Sequence, residues 1–235
     1  MAVADRSAMI LAAGRGERLR PLTDLKPKPL LPAGGKPLIV WHIEKLASAG
    51  FRRLIVNHAH LGGMIEQALG DGSRWGVELR YSPEDQALET AGGIRNALDL
   101  LERPAFAVVN SDVFSEFDYT FLANRVDAMT RDDAMLAHLV LVPNPAHNPR
   151  GDFCLSDRLI AEDGGTRDTF SGIGVYRREL FEPLARGERE RLAPVLRRQI
   201  PPGRVSGERY TGFWMDIGTP GRLAALERRL AGSGQ

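Results

Sequence analysis

Leu11-Ala12-Ala13-Gly14-Arg15-Gly16-Glu17-Arg18-Leu19-Arg20-Pro21-Leu22-Thr23, with Lys26-Pro27-Lys28-Pro29-Leu30-Leu31-Pro32 close behind, decides how this chain is read. The apolar run Ala8 to Leu11 predicts a short buried strand that empties into a small-residue turn. At Gly14 and Gly16 no Cβ holds a ligand away from the backbone N–H groups. Arginines and lysines stud the following residues, and prolines restrict how far that loop can move. Close backbone plus fixed cations predicts a polyphosphate site. The glycine pair alone would equally suit an ordinary strand-to-helix turn.

Two commoner phosphate loops fail on spacing. A dinucleotide fingerprint needs a third glycine three residues after Gly16, where Leu19 stands. A Walker loop needs Gly-Lys followed by Ser or Thr, and Gly35-Lys36 runs into Pro37.

Outward from that loop, strand-like and helix-like segments alternate. Pro37 opens a helical stretch with Ile39, Ile43 and Leu46 on one face, stopped by Gly50. Strands are expected at Arg53 to Asn57, Val77 to Tyr81 and Phe106 to Val109, and helices at Leu61 to Leu69 and Thr90 to Leu101. This succession predicts an α/β fold with a mostly parallel central sheet and helices on both faces. The second half is less regular. Strands are expected at Ala134 to Val142, Asp152 to Leu155 and Phe170 to Tyr176, and helices at Leu180 to Leu184, Leu192 to Gln199 and Thr219 to Leu230. No hexapeptide repeat follows, so residues 1–235 are expected to form one domain without an appended β-helix.

A formal net charge of +1 gives no electrostatic case for nucleic acid or an anionic membrane. No apolar run approaches the roughly 20 residues of a transmembrane helix, and Met1 to Arg6 carries no signal-peptide core. The single Cys154 cannot form an internal disulfide. A cytoplasmic protein, more readily a monomer than an oligomer, is the expectation. The chain prefers arginine, and its only lysines, Lys26, Lys28, Lys36 and Lys45, gather beside the glycine loop. A compact ammonium differs in use from a planar guanidinium, which points to chemistry for at least one of them.

Ligands of open α/β sheets bind beyond the carboxyl ends of the strands. Asn110-Ser111-Asp112 follows one buried run, and Asp112 is a hard oxygen ligand suited either to Mg²⁺ or to capping the next segment. Asp216, in Trp214-Met215-Asp216-Ile217-Gly218-Thr219, has the same character. Glu84 follows the strand ending at Tyr81, and Gly92-Gly93 opens a helix where bare backbone suits a base or ribose, or merely tolerates glycine. His58 and His60 lack the further spaced ligands of a zinc site. Arg150-Gly151-Asp152 reads as a polar corner before a strand.

Gly14, Gly16 with Glu17 before Arg18, and Lys28 in Lys26-Pro27-Lys28-Pro29 together resemble the signature of the sugar-1-phosphate nucleotidyltransferases. Further landmarks run the length of the chain, among them Asn57-His58-Ala59, Gly70-Asp71-Gly72-Ser73-Arg74, Arg80-Tyr81-Ser82-Pro83-Glu84 and Phe170-Ser171-Gly172-Ile173. They are most similar to the uridylyltransferases of cell-wall recycling. The resemblance implies a Rossmann-like fold and transfer of a nucleotidyl group from UTP to a sugar 1-phosphate, N-acetylmuramate 1-phosphate in particular, with Mg²⁺. Mannose-1-phosphate guanylyl transfer, glucose-1-phosphate thymidylyl transfer and a non-catalytic nucleotide-sugar sensor are the alternatives. It further implies that Arg18 holds the triphosphate and Lys28 neutralises the α-phosphate. Ala13, Gly14, Gly16, Glu17, Glu84, Gly92 and Gly93 would line the nucleotide, Asp112 and Asp216 would bind the metal, and Asn110, Arg150 and Asp152 would face the sugar phosphate. One departure stands out: many relatives carry a sugar-phosphate lysine in the second half, and this chain has none after Lys45.

Overall fold

The computed structural model describes residues 6–232. The signal-peptide reading of residues 1–5 therefore lies outside the described residues. In chain order the elements are β1 (Arg6–Leu11), α1 (Leu22–Leu25), β2 (Pro32–Ala33), β3 (Lys36–Pro37), α2 (Leu38–Ser48), β4 (Phe51–His58), α3 (Gly62–Leu69) and β5 (Glu78–Pro83). Then come α4 (Glu89–Ala97), β6 (Ala105–Asn110), β7 (Val113–Ser115), α5 (Thr120–Arg131), β8 (Ala137–Val142), β9 (Phe153–Ser156) and β10 (Leu159–Ala161). The chain closes with β11 (Arg167–Arg177), α6 (Leu192–Arg197), β12 (Val205–Arg209), β13 (Trp214–Asp216) and α7 (Pro220–Gly232).

Nine strands form one sheet in the order β5-β4-β1-β6-β11-β8-β12-β10-β9. The first four run parallel, and because helices cover both faces their sequences read as unbroken apolar runs. In β1, Ala8 and Ile10 pack on one face with Ile39 and Ile43 of α2, Ile65 of α3 and Val126 of α5. Met9 between them packs on the other with Ile94 of α4 and Leu196 of α6. The helices on both faces are as expected, and Ile39, Ile43 and Leu46 are fully buried on one stripe.

Two expectations need correction, and one helix was not expected. The sheet is mixed rather than mostly parallel: β11 runs antiparallel to β6 and β8, and only β8–β12 restores a parallel pair in the second half. Leu180 to Leu184 does not form a helix; a short 3-10 turn, Arg178–Leu180, stands there instead. Pro183 supplies no N–H and disfavours helical geometry at Glu182. The helix Thr120–Arg131 went unread, although Leu122, Val126 and Met129 give it a buried stripe at helical spacing.

Candidate active site

Parallel strands deliver their ends to one edge, and three of them build the floor of a cleft of about 750 Å³. Leu11 at the end of β1 is in register with Asn57 of β4 and Asn110 of β6. The Ala12 N–H donates to Asn57 Oδ1 at 2.9 Å, and the Ser111 N–H donates to the Leu11 carbonyl at 3.0 Å. The chain thus leaves the sheet along a fixed path.

The glycine loop forms one wall. Gly16 sits at φ +68°, where a Cβ would lie 2.9 Å from Thr23 Cγ2 and 3.2 Å from Lys28 Cβ. Thr23, fully buried, donates its hydroxyl to the Gly16 carbonyl at 2.9 Å. Arg15 donates to the Thr23 carbonyl at 2.8 Å and pairs with Asp24 at 2.9 Å. These contacts fold the loop back so that Lys28 enters the cleft. A Cβ on Gly14 would meet nothing within 4 Å.

Lys28 is buried, with its ammonium 2.5 Å from Asp112 Oδ2 on a carboxylate 37% exposed. Lys26 is exposed. The other lysines hold structure: Lys45 donates to the carbonyls of Ser115 and Phe117 at 2.7 and 2.6 Å, and burial pulls its pKa down to about 8. Lys36 pairs with Glu44 and lies over the Trp41 ring.

Asp216 stands one strand away from Asp112. Strands β7 and β13 pair antiparallel with Asp216 opposite Val113, and the Ile217 N–H donates to the Asp112 carbonyl at 2.6 Å. The Asp216 carboxylate accepts from Arg222 at 2.6 Å and lies 3.0 Å from His147. Gly218, just beyond, lines the cleft, and a Cβ there would lie 2.5 Å from Arg222 Nη2 and 3.0 Å from Arg18 Nη2. The guanidiniums of Arg18 and Arg222 therefore both come close to Gly218, Arg222 while paired with Asp216, which itself stands beside the cleft lining. No trio of His, Cys, Asp or Glu side chains converges among the described residues. A two-carboxylate set suits a hard divalent cation whose other ligands are phosphate oxygens and water.

Of the residues singled out from sequence, Ala13, Gly14, Gly16, Glu17, Arg18, Lys28, Asn110 and Asp112 line one cleft. Others lie behind or beside it. Glu84 is buried, accepting from Asn57 Nδ2 at 2.7 Å and from the Leu88 N–H at 2.9 Å. Burial pushes its carboxyl above the ordinary range, opposed by those two donors. A Cβ on Gly93 would come within 2.8 Å of Asn57 Nδ2 and of Glu84 Oε1, so this glycine leaves room for that pair. Asp152 accepts from the Phe170 N–H at 2.8 Å and from Asn148, closing the loop before β9. Arg150 is exposed on that loop and has no polar partner among the described residues. His58 pairs with Glu66, and His60 lies 2.7 Å from Arg15.

Asn57, Glu89, Thr90 and Arg189 also line the cleft; Glu89 and Thr90 belong to the segment after β5 that the sequence places at the strand ends, whereas Asn57 and Arg189 were given no site role. Asn57 was legible, since it stands one residue before the end of β4, in register with Leu11 as Asn110 of β6 is. Arg189 sits in an arginine- and glutamate-rich run with no distinguishing spacing. A Ser206–His138–Glu208 chain, at 2.9 and 3.1 Å, lies outside the cleft between β8 and β12. The cleft itself offers backbone donors and cations suited to a polyphosphate.

Residues 7–151 match the family model described as nucleotidyl transferase. The chain is 52% identical over 230 residues to the N-acetylmuramate alpha-1-phosphate uridylyltransferase of Neisseria meningitidis serogroup B, covering 96% of this chain and 98% of that one. It is 33% identical to the protein of the same name from Caulobacter vibrioides, over 98% and 99% of the two chains. A mannose-1-phosphate guanylyltransferase of Mycobacterium tuberculosis is also 33% identical, over 94% of this chain and 63% of that longer one. The fold matches a Bacillus anthracis structure solved with sucrose at a TM-score of 0.83, with 21% identity over 96% and 94% of the chains. Nucleotidyltransferases of this kind generally use a divalent metal. Among the described residues, no helix is long and apolar enough to cross a membrane.

Proposed function

Because the chain belongs to the nucleotidyl transferase family, we propose that it joins UTP and N-acetylmuramate 1-phosphate into UDP-N-acetylmuramate, releasing pyrophosphate. The observation that carries the reaction type is the buried Lys28 ammonium against Asp112 in a cleft walled by the glycine loop. The choice of base and sugar is supported by the 52% identity over nearly the whole of both chains. The reading extends to a monomer acting in the cytoplasm in cell-wall recycling.

The sugar-phosphate oxygen attacks the α-phosphorus in line, and the bond from that phosphorus to the bridging oxygen of pyrophosphate breaks. The nucleophile is already ionised, so no general base is needed. Catalysis reduces to alignment and charge stabilisation. In this reading Lys28 meets charge at the α-phosphate and Arg18 steadies the triphosphate, while Ala13, Gly14, Gly16 and Glu17 bound the nucleotide. Glu84, Gly92 and Gly93 support that wall from behind, through Asn57 and through residues 188–190, which pack against Gly92. Asn110, with Arg150 and Asp152 on the loop before β9, takes the sugar-phosphate side. Asp112 and Asp216 would hold Mg²⁺, which when bound supplies charge neutralisation at phosphate oxygens. Arg222, beside Asp216, is a second-half cation that would stand in for the lysine this chain lacks after Lys45.

The test is pyrophosphate release from UTP and N-acetylmuramate 1-phosphate with Mg²⁺, repeated with Asp112→Asn and with excess chelator. Turnover by the native chain is expected, with a loss of about 10² or more in kcat for the variant and silence in chelator. Full activity of Asp112→Asn, or in chelator, would remove the metal assignment.

A further inference from the structure

Past the phosphate loop, the cleft is walled by Ala87, Glu89 and Thr90 from one segment and Arg189 from another. Three backbone hydrogen bonds lock the two together: the Ala91 and Gly92 N–H groups donate to the Glu190 carbonyl at 3.0 Å each, and the Glu190 N–H donates to Leu88 at 3.0 Å. Gly92 makes this approach possible, since a Cβ there would lie 2.3 Å from the Glu188 carbonyl oxygen. The docked segment brings Arg189 Nη2 to Glu89 Oε1 at 2.8 Å.

Glu89 holds a left-handed backbone, φ +62°, which glycine adopts freely and a glutamate does not. Core packing does not explain that strain, because the side chain is 31% exposed and its partners are Arg189 and, at 3.9 Å, Arg191. The conformation serves to present the carboxylate at the cleft wall. The ion pair uses Oε1 and Nη2, so Oε2 and further guanidinium N–H groups remain for a ligand. Phosphate is a poor occupant beside a carboxylate. An acceptor next to a donor matches, in complement, a ring carbonyl next to a ring N–H.

We propose, resting on the uridylyl-transfer reading above, that Glu89 and Arg189 read the imide edge of the uracil base: Glu89 accepts from N3–H and Arg189 donates to O4. Cytosine presents an unprotonated ring nitrogen and an amino group along the same edge, so both contacts become mismatches. A site built around such groups discriminates strongly, because a wrong base leaves them desolvated and unpaired. Guanine also presents a ring N–H beside a carbonyl oxygen, so CTP is the discriminating probe.

Titration calorimetry with UTP and CTP on the native chain, Glu89→Gly and Arg189→Ala tests this. Glycine suits the φ at position 89, so Glu89→Gly removes the carboxylate without adding strain, and a thermal melt checks folding of each variant. The native chain should bind UTP at least about tenfold tighter than CTP, and either variant should lose about tenfold for UTP, the scale of one charged hydrogen bond, while CTP binding changes less than about twofold. Equal losses for both nucleotides, or unchanged UTP affinity, would overturn the assignment. Pyrophosphate release from UTP by the native chain separates the two levels. If it occurs and the variants keep the native UTP/CTP ratio, this inference alone fails; if it is absent, the underlying reading fails with it.

Discussion

Replacing Gly16 with alanine tests whether the glycine loop is built to seat Lys28. At φ +68° an alanine pays the left-handed penalty of roughly 1–2 kcal/mol. Its Cβ would also sit 2.9 Å from Thr23 Cγ2 and 3.2 Å from Lys28 Cβ. Thr23 cannot yield easily, being fully buried and hydrogen-bonded to the Gly16 carbonyl. Overpacking of this kind adds about 1 kcal/mol or more, for a total near 2–3 kcal/mol. In a chain of this length that lowers the melting temperature by about 5–10 °C. The kinetic loss should be larger than the stability loss suggests, because displacing a phosphate-facing cation by about 1 Å can cost on the order of 10² in rate. Gly14→Ala is the control: its Cβ meets nothing within 4 Å, so the melt should stay within about 0.5 kcal/mol of native. Calorimetric melts beside kcat and KM for UTP read both effects. A native-like melt for Gly16→Ala, or a greater stability loss for Gly14→Ala, would refute the reasoning.

Lys28→Ala should abolish most turnover, and Lys28→Arg should rescue it poorly, whereas exposed Lys26→Ala should change kcat little; steady-state kinetics showing Lys26→Ala the worse variant would contradict the assignment of roles in this loop. His42 is fully buried, donating to the Val113 carbonyl and accepting from Tyr119, and burial lowers its pKa to about 4. As pH falls through the ordinary histidine value near 6.5 the unfolded chain takes up its proton first, so this contribution is complete above about pH 6.5 and is lost toward pH 4, by roughly 3 kcal/mol. Urea unfolding at pH 5 and pH 7 should show that slope, flattened in His42→Gln, with His138, also lowered by burial, keeping a remainder. An unchanged slope in the variant would sink the assignment.

The central strands were legible because buried parallel strands are continuous apolar runs, and α2 because Ile39, Ile43 and Leu46 repeat at helical spacing. The direction of β11 was not, since pairing direction depends on where the chain returns rather than on its side-chain pattern. At the site, Gly14 to Arg18, Lys28, Asn110 and Asp112 could be read because they are local to strand ends. The pairing of Asp216 with Arg222 and His147 joins segments far apart in sequence, and so does that of Glu89 with Arg189. Gly92 and Gly93 looked like bare backbone for a ligand. Their absent side chains instead make room for the 188–190 segment and the Asn57–Glu84 pair. In both cases the sequence showed that something approaches the glycine but not what.

The central claim is tested most directly by competition. The native chain with Mg²⁺ is given UTP, GTP, CTP and dTTP together with equimolar N-acetylmuramate, N-acetylglucosamine, glucose and mannose 1-phosphates, and the nucleotide sugars formed are identified by mass. UDP-N-acetylmuramate is expected to dominate at early times, with pyrophosphate released in equal amount. Dominance of GDP-mannose, dTDP-glucose or UDP-N-acetylglucosamine, or formation of no nucleotide sugar, would contradict the account.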